Sequence, residues 1–338
     1  PERGVAIIGD GASCREIGQE IQERVKSLTI CQRSPHWAAP FPQFRKAVPE
    51  ALRFLFREVP LYAAWYRVRL GWTFNDRVHA TLQKDPAWPH KERSLNATND
   101  AHRVYYTRYI REELGDRQDL IDKVLPTYPP FGKRMLMDNG WYRMLRNERV
   151  SLIDERIERV DATGVVTADG THHDADVLVI ATGFDVLNFI NTYEIRGRDG
   201  VTLREAWEGD NAKAYLGTVV PGFPNLFTLY GPNLQPGHGG SLIVVVEMQV
   251  RYIMDVLRRM AAHGLGSVEC RREVFEDYNR RVDAAHANMV WTHPGMTTYY
   301  RNQRGRIVVN SPFRNVDFFE MTREANLADF TVTARREA

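Results

Sequence analysis

Cysteine is scarce in this sequence, which carries three cysteines among 338 residues, at positions 14, 31 and 270. Thiols so few and so scattered exclude a disulfide framework and a cysteine-rich zinc site, and they are consistent with a reducing cytoplasm. Long apolar runs are also missing. A typical run, Leu242–Val246, ends at Glu247, so the sequence predicts no transmembrane helix and no membrane partner.

An excess of charge of one sign is missing as well. The 45 basic residues nearly balance the 43 acidic ones, which leaves a formal net charge of +2 and gives no reason to expect nucleic acid as a partner. The ten histidines show no metal-ligand spacing, so no metal is expected. What is present is 43% hydrophobic residues over a length that suits one large domain or two. This composition predicts a globular, core-forming protein and specifies no oligomeric state.

The first thirty residues have the pattern of a strand, a helix and a second strand. Val5–Ile8 is a short apolar run, and the turn Gly9–Gly11 follows it at once. Apolar residues then recur every four positions from Ile17 to Val25, as in a helix with one face on a sheet. Leu28–Cys31 is a second apolar strand. The stretch therefore predicts a βαβ unit.

Glycines between a strand and a helix indicate a dinucleotide whose pyrophosphate lies at the helix N-terminus. The candidate residues are the glycines at positions 9 and 11. Cys14 takes the third small position of the GxGxxG pattern, where close packing of helix on strand tolerates a small side chain. We interpret Cys14 as a packing residue rather than a catalytic thiol.

The end of the second strand distinguishes between the two nicotinamide dinucleotides. A site for NAD has an acidic residue about 20 residues after the glycines, to accept a hydrogen bond from the ribose 2′-hydroxyl. This chain has Arg33 there, a cation suited to a 2′-phosphate. NADPH is therefore favoured over NADH, and the alternative interpretation is a solvated arginine at a strand end.

The rest of the chain alternates helices with strands, as in an α/β fold. Helices are predicted over about 44–82 with a break at Pro60, over 100–114 and 119–124, and after Ser241 with an apolar face at 243, 246, 250, 253 and 257. Strands are predicted at 150–153, 164–167, 176–181, 226–229 and 305–309, the third of them apolar on both faces like a central strand. The turn Asp169-Gly170 predicts a hairpin that leads from the second of them into the third. The 44–82 segment interleaves arginines with aromatic residues. We interpret it as a packed helix covered by arginine stems, with a membrane or partner surface as the alternative.

Three loops carry further candidate site residues. The stiff loop 128–134 presents two adjacent cations, Lys133 and Arg134, and the alternative is an exposed basic turn. The strand 176–181 breaks at Thr182-Gly183, where the backbone could pass close to a cofactor. The glycine-rich loop 237–241 leads into a helix N-terminus suited to an anion or an electron-rich ring. Its histidine, at position 238, is interpreted as a loop residue rather than a proton donor.

Several motifs in a fixed order resemble those of the Baeyer-Villiger monooxygenases, and most of all the 4-hydroxyacetophenone monooxygenase branch, over nearly the whole chain. They are GDGASC at 9–14, QRSPHW at 32–37, GKR at 132–134, ATGF at 181–184, VPGFPNLF at 220–227, GPN at 231–233 and GHGGS at 237–241. The resemblance implies an α/β protein with a Rossmann-type NADPH-binding domain at 1–182, interrupted by a helical insertion at about 44–125. It implies that residues 183–338 are the C-terminal part of a second, FAD-binding α/β domain.

The resemblance also implies roles for individual residues. Gly9, Gly11 and Ala12 would hold the NADPH pyrophosphate. Arg33 and Lys133 would pair with its 2′-phosphate. The remaining expected cofactor contacts are Ser13, Ser34, Thr182, Gly183, Asn233, Gly240, Ser241 and Tyr299.

Arg134 would be the active-site arginine that stabilises the negative flavin peroxide and then the oxyanion of the ketone adduct. A permanent cation suits this role, and arginine does not deprotonate. At the C-terminal end, Thr298-Tyr299-Tyr300 stands where the family commonly has a tryptophan before a tyrosine, so a tyrosine hydroxyl would replace the indole donor.

The family implies an enzyme that uses NADPH, FAD and O2 to convert an aryl or alkyl ketone into an ester or lactone. The family's first GxGxxG, which binds FAD, and its FxGxxxHxxxW fingerprint are not in this sequence. We therefore expect this chain alone to be inactive. The alternatives are a flavin monooxygenase that oxygenates nitrogen or sulfur, and a non-catalytic NADPH-binding module.

Overall fold

The structure is a computed structural model that describes residues 2–190 and 192–335. Its strands are β1 (Gly4–Ile8), β2 (Ser27–Cys31), β3 (Ala38–Pro40), β4 (Leu136–Asp138), β5 (Val150–Ile153), β6 (Ile157–Val160), β7 (Gly164–Thr167), β8 (His172–Asp174), β9 (Val177–Ile180), β10 (Leu265–Cys270) and β11 (Phe330–Ala334). Its α-helices are α1 (Ala12–Ile21), α2 (Glu50–Glu58), α3 (Tyr62–Gly71), α4 (Ala97–Leu114), α5 (Gln118–Val124), α6 (Trp141–Met144), α7 (Leu203–Ala206), α8 (Leu242–Ala262), α9 (Arg272–Ala287) and α10 (Asn315–Met321).

The chain divides into two compact units. The first unit contains the chain up to Pro49 together with Trp88–Phe184, and the second contains Glu50–Ala87 together with the chain from Asp185 onward. The sequence predicts an insertion over about 44–125 in the first domain and a domain boundary at 182. In the structure, only the second half of that insertion belongs to the first unit.

A four-stranded parallel sheet forms the centre of the first unit, with strand order β5-β2-β1-β9. Helix α1 connects β1 to β2, and Ile7, Leu28 and Ile30 are completely buried in the sheet. Strand β1 has β2 on one side and β9 on the other, so successive connections leave it in opposite directions, as in the first half of a Rossmann fold. The predicted α/β class, the βαβ unit and the Rossmann-type sheet are confirmed.

The predicted position of the last strand of this sheet is wrong for the described residues. Strand β9 pairs with β1 alone and lies at the sheet edge, although its apolar composition predicted a central strand. The side chain of Ile180 is accordingly 63% exposed. The predicted hairpin before it is present as β7 and β8, which form a three-stranded antiparallel sheet with β6.

The helices α4 and α5 belong to the first unit and pack against each other. Helix α4 begins earlier than predicted, because the side chain of Asn96, not Asp100, accepts the capping hydrogen bond from the N–H of Asn99. Asp100 instead forms a two-point ion pair with Arg93. Helix α4 ends at Gly115, which has the positive φ typical of a helix C-terminus.

Residues 50–87 form helices as predicted, with the break at Pro60, but they lie in the second unit. His79 and Lys84 connect them to its C-terminal part through hydrogen bonds to the carbonyls of Pro312 (2.8 Å) and Ala287 (3.0 Å). Helices α2 and α3 contain no buried residue among their described side chains, so the interpretation as a packed helix is wrong. Their aromatic rings pack on one another instead.

The core of the second unit lies between α8, α9, α10 and the two-stranded sheet β10-β11. Helix α8 buries Val245, Gln249, Tyr252 and Val256, and not the predicted apolar face. On that predicted face, positions 243, 250 and 257 are exposed. The helix is apolar on more than one side, so periodicity alone does not determine which side packs.

Two predicted strands of the second unit are not formed in the described residues. Segments 226–229 and 305–309 have extended stretches without a ladder partner, and Ile307 makes only an isolated bridge with Arg301. The backbone of residues 308 and 309 instead makes single hydrogen bonds with Tyr300, Asn233 and Gln235, which do not repeat as in a strand ladder.

Candidate functional site

The turn after β1 requires glycine at position 9. Gly9 has φ +111°, and a Cβ atom built there would lie 2.3 Å from the carbonyl oxygen of Ala181, at the end of β9. Its N–H donates to the carbonyl of Cys31, at the end of β2 (2.9 Å). Gly9 therefore lets three parallel strands end side by side, which forms a crevice at their carboxyl edge.

Helix α1 begins at this crevice with its N-terminal N–H groups uncapped by side chains. Gly11 is the N-cap residue, in extended conformation, and a Cβ atom there would have no atom within 4 Å. Ala12 and Ser13 are exposed beside it. A helix start with free N–H groups and open space in front of it suits a phosphate.

Cations line the side of the crevice next to β2. The Nζ of Lys133 donates to the Oγ of Ser34 (2.7 Å) and lies 4.9 Å from the centre of the Tyr128 ring. Burial lowers the pKa of Lys133, and the charge of Arg33 lowers it further. Arg33 is exposed at the end of β2. The predicted residues Arg33, Ser34 and Lys133 therefore lie together.

Asp10 is a residue of this crevice that the sequence analysis did not single out. It is 5% exposed, its Oδ1 lies 3.7 Å from the Nε2 of His36, and its Oδ2 has no hydrogen-bond partner. Burial raises the pKa of Asp10 to about 6, although the charges of Arg15 and Lys133 act in the opposite direction. The sequence alone marks Asp10 as unusual, because a helix N-terminus that binds phosphate favours anions from the ligand and disfavours a carboxylate in its own turn.

Arg15 was also missed, because it falls on the face of α1 that the apolar periodicity marked as polar. It is 3% exposed, its guanidinium lies 4.8 Å from the centre of the Trp141 ring, and its Nε donates to the carbonyl of Asp10 (3.2 Å). The buried residues of α1 are Cys14, Arg15 and Gly18. Burial raises the pKa of Cys14 to about 12, so the thiol is a packing group, as interpreted.

The remaining site candidates of the first unit lie at the same edge of the sheet. Arg134 is exposed and follows Lys133 directly. Thr182 and Gly183 are exposed after β9, and Gly183 has φ +90°. The backbone there is accessible, and its contact with a cofactor stays a prediction.

The candidates of the second unit divide between its surface and its interior. Gly240 has φ +87°, and the Oγ of Ser241 accepts from the N–H of Ile243 (3.3 Å) at the start of the 21-residue helix α8. Tyr299 is half-exposed, and its hydroxyl accepts from Gln235 (3.4 Å). These three residues are accessible to a ligand.

Asn233 is different, because its side chain is buried inside the second unit. Its Nδ2 donates to the carbonyl of Ile307 (2.8 Å), and its Oδ1 accepts from the guanidinium of Arg306 (3.1 Å). The nearby His286 ring lies 3.3 Å from the same amide, and burial lowers the pKa of His286 to about 3. The amide of Asn233 therefore holds the loop in place from within.

Sequence comparison connects the whole chain with flavin-dependent oxygenases. No protein-family model matches it. It is 51% identical over 326 residues to an uncharacterized monooxygenase, y4iD, of Sinorhizobium fredii, covering 96% of this chain and 49% of that protein. It is 31% identical to a Baeyer-Villiger monooxygenase of Pseudomonas aeruginosa, covering 97% and 60% respectively. Over nearly its whole length, this chain is similar in sequence to the Baeyer-Villiger monooxygenases.

The solved structures of such relatives have the same fold. An oxidized steroid monooxygenase bound to NADP superposes with a TM-score of 0.79 at 23% identity, covering 98% of this chain and 67% of that one. A cyclohexanone monooxygenase from Rhodococcus sp. Phi1 bound to NADP+ gives 0.78 at 23% identity, with the same coverage. The chain spans about half to three fifths of the length of the curated relatives it matches.

Residues 2–190 and 192–335 offer neither a membrane-spanning helix nor a cluster of metal ligands. No helix of these residues is long and apolar enough to cross a membrane. No group of three or more His, Cys, Asp and Glu side chains among them could hold a metal ion.

Proposed function

We propose that this chain binds NADPH in the crevice at the carboxyl edge of β1, β2 and β9, as the nicotinamide-binding part of a Baeyer-Villiger-type monooxygenase. The observation that carries the proposal is the contact between Lys133 and Ser34 beside Arg33. Residues 99 positions apart in sequence bring two cations and a hydroxyl to the place where the adenosine ribose of a Rossmann-bound dinucleotide lies.

The residues present fit the dinucleotide. Its pyrophosphate would accept hydrogen bonds from the N–H groups at Gly11, Ala12 and Ser13, where the absence of a Cβ on Gly11 lets the phosphate come close. Its 2′-phosphate would pair with Arg33 and Lys133. Lysine and arginine form short, charge-assisted hydrogen bonds with phosphate, which a ribose hydroxyl cannot equal. The crevice therefore favours NADPH over NADH.

For FAD the described residues fit in part. Thr182 and Gly183 in the first unit are accessible, and so are Gly240, Ser241 and Tyr299 in the second. We propose each of them as a flavin contact. The side chain of Asn233 does not fit this role, because it is committed to an internal hydrogen-bond network.

When bound, NADPH supplies a hydride and FAD supplies the oxygen chemistry, so this chain contributes binding, orientation and charge. Arg134 is the group we assign to the reacting centre, where a permanent cation stabilises negative charge that develops on oxygen. The substrate class we propose is an aryl or alkyl ketone, converted with O2 to an ester or lactone. The motif order of the 4-hydroxyacetophenone monooxygenase branch supports the aryl preference. The ketone oxygenation belongs to the whole protein.

The binding proposal is tested by calorimetric titration of the chain with NADP+ and with NAD+, which differ only in the 2′-phosphate. The Lys133→Met variant removes one phosphate-pairing cation and keeps the length of the stem. We expect it to bind NADP+ roughly tenfold or more weakly, since a hydrogen bond to a charged group contributes about 1.5–3 kcal/mol. Its affinity for NAD+ should stay the same.

The matched control is Lys26→Met, an exposed lysine just before β2, at the opposite end of that strand from Arg33. It should bind both dinucleotides as the wild-type chain does. Equal affinity of the wild-type chain for NADP+ and NAD+ would contradict the 2′-phosphate assignment. Equal losses for both ligands in Lys133→Met would do the same.

A further inference from the structure

A carboxylate lies inside the turn that we assign to the dinucleotide pyrophosphate. Asp10 stands between Gly9, which ends β1, and Gly11, which caps α1. Its side chain is buried, and its Oδ2 has no hydrogen-bond partner. Its Oδ1 lies 3.7 Å from the Nε2 of His36, which is too far for a hydrogen bond. The charges of Arg15, Lys133 and Arg33 favour the ionised form of this carboxylate, but the effect of burial outweighs them.

We propose that Asp10 takes up a proton when the dinucleotide binds, so that cofactor affinity is set by the protonation of a residue within the glycine turn. This inference rests on the proposed NADPH site. It assigns to Asp10 a control of affinity through proton uptake, which is separate from the phosphate contacts proposed for the glycines and the cations of the site.

Charged and titratable groups from three parts of the chain surround Asp10. From α1, it faces the Arg15 guanidinium and the Cys14 thiol, which burial keeps protonated. From the loop after β2, it faces Arg33 and His36, and burial with the neighbouring charges lowers the pKa of His36 to about 3.

From the loop before β4, Asp10 faces Lys133, whose pKa burial lowers from its ordinary value. Two tyrosines complete the surroundings. Burial raises the pKa of Tyr142 to about 12 and also raises the pKa of Tyr128. Both phenols are therefore neutral at physiological pH, and they add no charge to the cluster.

The direction of the effect follows from the charges. Burial places the pKa of Asp10 at about 6 in the free protein, so the carboxylate is ionised at pH 8 and neutral at pH 5. A pyrophosphate at the start of α1 adds negative charge beside it, which raises its pKa further. Below pH 6 the group is neutral with or without ligand, and affinity does not depend on it. Above pH 6 affinity falls by up to about tenfold per pH unit, until the pKa of the bound state is reached.

The experiment is a calorimetric titration with NADP+ from pH 5.5 to 8.5, on the wild-type chain and on Asp10→Asn. Each titration is run in two buffers of different ionisation enthalpy, which gives the number of protons taken up. We expect the wild-type chain to take up a fraction of a proton at pH 7.5. Asp10→Asn should take up less, bind roughly tenfold more tightly at pH 8, and bind equally at pH 5.5.

NAD+ is the second probe, because the 2′-phosphate of NADP+ itself titrates near pH 6. The same difference between wild type and Asp10→Asn with NAD+ assigns the proton to the protein. Asp174→Asn is the matched control. Its carboxylate is 96% exposed, and its backbone lies near Gly4, at the opposite end of β1. It should keep the wild-type pH dependence.

Equal proton uptake and equal pH slopes in wild type and Asp10→Asn would overturn the inference while leaving the NADPH site intact. Absence of proton uptake by the wild-type chain at pH 7.5 would overturn it without any variant, so the test does not depend on the folding of Asp10→Asn. If the wild-type chain binds neither dinucleotide at any pH, the proposed function fails and the inference fails with it.

Discussion

Arg134 is separated from Lys133 by one peptide bond, and yet the two cations are assigned different partners. Lys133 points its ammonium group to Ser34 and packs over the Tyr128 ring, which commits it to the crevice after β2. Arg134 is exposed next to it. Neighbouring residues on an irregular loop can direct their side chains to different partners. A single stiff loop can therefore present Lys133 to a cofactor phosphate and Arg134 to a reacting oxygen.

If Arg134 stabilises negative charge on oxygen, then its removal affects chemistry more than binding. We predict that Arg134→Ala in the intact enzyme lowers the rate of oxidation of an aryl ketone about 100-fold or more, since loss of one oxyanion donor costs that much elsewhere. Arg134→Lys should recover only part of the rate, because lysine lacks the planar fork. NADP+ affinity, measured by titration, should change little in either variant.

Product analysis with a ketone and a thioether completes this test. Oxidation of the thioether alone by the wild-type enzyme would contradict the ketone assignment and favour a monooxygenase of soft nucleophiles. A parallel loss of thioether and ketone oxidation in Arg134→Ala would contradict the oxyanion role, because a sulfide develops no oxyanion.

The residues of the site show which features can be recognised before the structure is known. Arg33 could be proposed from its distance to the glycines and Lys133 from its motif, and both lie beside the crevice. The environments of Asp10 and Arg15 could not. Both are polar residues at positions that look solvent-facing in sequence, and they become buried only when the loop around 133 and the helix α6 pack against α1. Asn233 shows the opposite case, since its motif suggests a ligand and its amide is used internally.

The turn between β1 and α1 uses its two glycines for different physical reasons. Gly9 has φ +111° and no room for a Cβ beside Ala181, whereas Gly11 has φ −72° and open space around the same position. The first glycine is required by the backbone. The second is required only if something approaches the helix start closely.

This difference makes Gly9→Ala and Gly11→Ala a matched pair. We predict that Gly9→Ala destabilises the chain by about 2–4 kcal/mol, because it combines a strained φ with a backbone clash. Gly11→Ala should change the free energy of unfolding by less than about 1 kcal/mol. It should nevertheless weaken NADP+ binding at least tenfold, since its methyl group would occupy the place of the phosphate.

Urea denaturation gives the two stabilities, and titration with NADP+ gives the affinity. Unchanged affinity in a well-folded Gly11→Ala variant would mean that no ligand approaches the N-terminus of α1. Equal stability of both variants would mean that the strain at Gly9 is relieved by movement of the chain near Ala181.

Elements defined by local pattern were predicted well, and elements that depend on a partner were not. The βαβ unit, the hairpin before β9 and the helix break at Pro60 follow from turn residues and periodicity within a few positions. The segments 226–229 and 305–309 have strand-like composition without a neighbouring strand among the described residues. Composition reports how apolar a segment is, whereas pairing is decided by distant parts of the chain.

The division of the molecule into two units could not be predicted from local sequence patterns, because it too depends on contacts between distant parts of the chain. The chain leaves the first unit at Pro49 and returns to it at Trp88, in the middle of what the sequence predicts to be one helical insertion. No glycine-rich linker or change in composition marks either crossing. The assignment rests on side chains such as His79 and Lys84, whose partners lie more than 200 residues away.

Because the proposed NADPH site is built from the first unit alone, the effect of the ligand on local stability should be uneven. A bound ligand stabilises the part that binds it by RT ln(1 + [L]/Kd), about 2.7 kcal/mol at 100 times Kd. Amide hydrogen exchange resolves this effect along the chain. We predict that saturating NADP+ slows exchange in α1, in 33–36 and in 132–134, while α8 and α9 exchange as in the free protein.

Lys133→Met supplies the decisive comparison in that experiment. At an NADP+ concentration that saturates the wild-type chain, residues 33–36 of this variant should be the first to lose protection from exchange. Arg33, in that loop, is proposed to contact the 2′-phosphate together with Lys133. Lys26→Met should retain the wild-type pattern. Protection of α8 and α9 as strong as that of α1 would contradict a site confined to the first unit. The helix N-terminus at Ser241 would then be a ligand contact of equal weight, and the assignment of NADPH to the crevice would have to be abandoned.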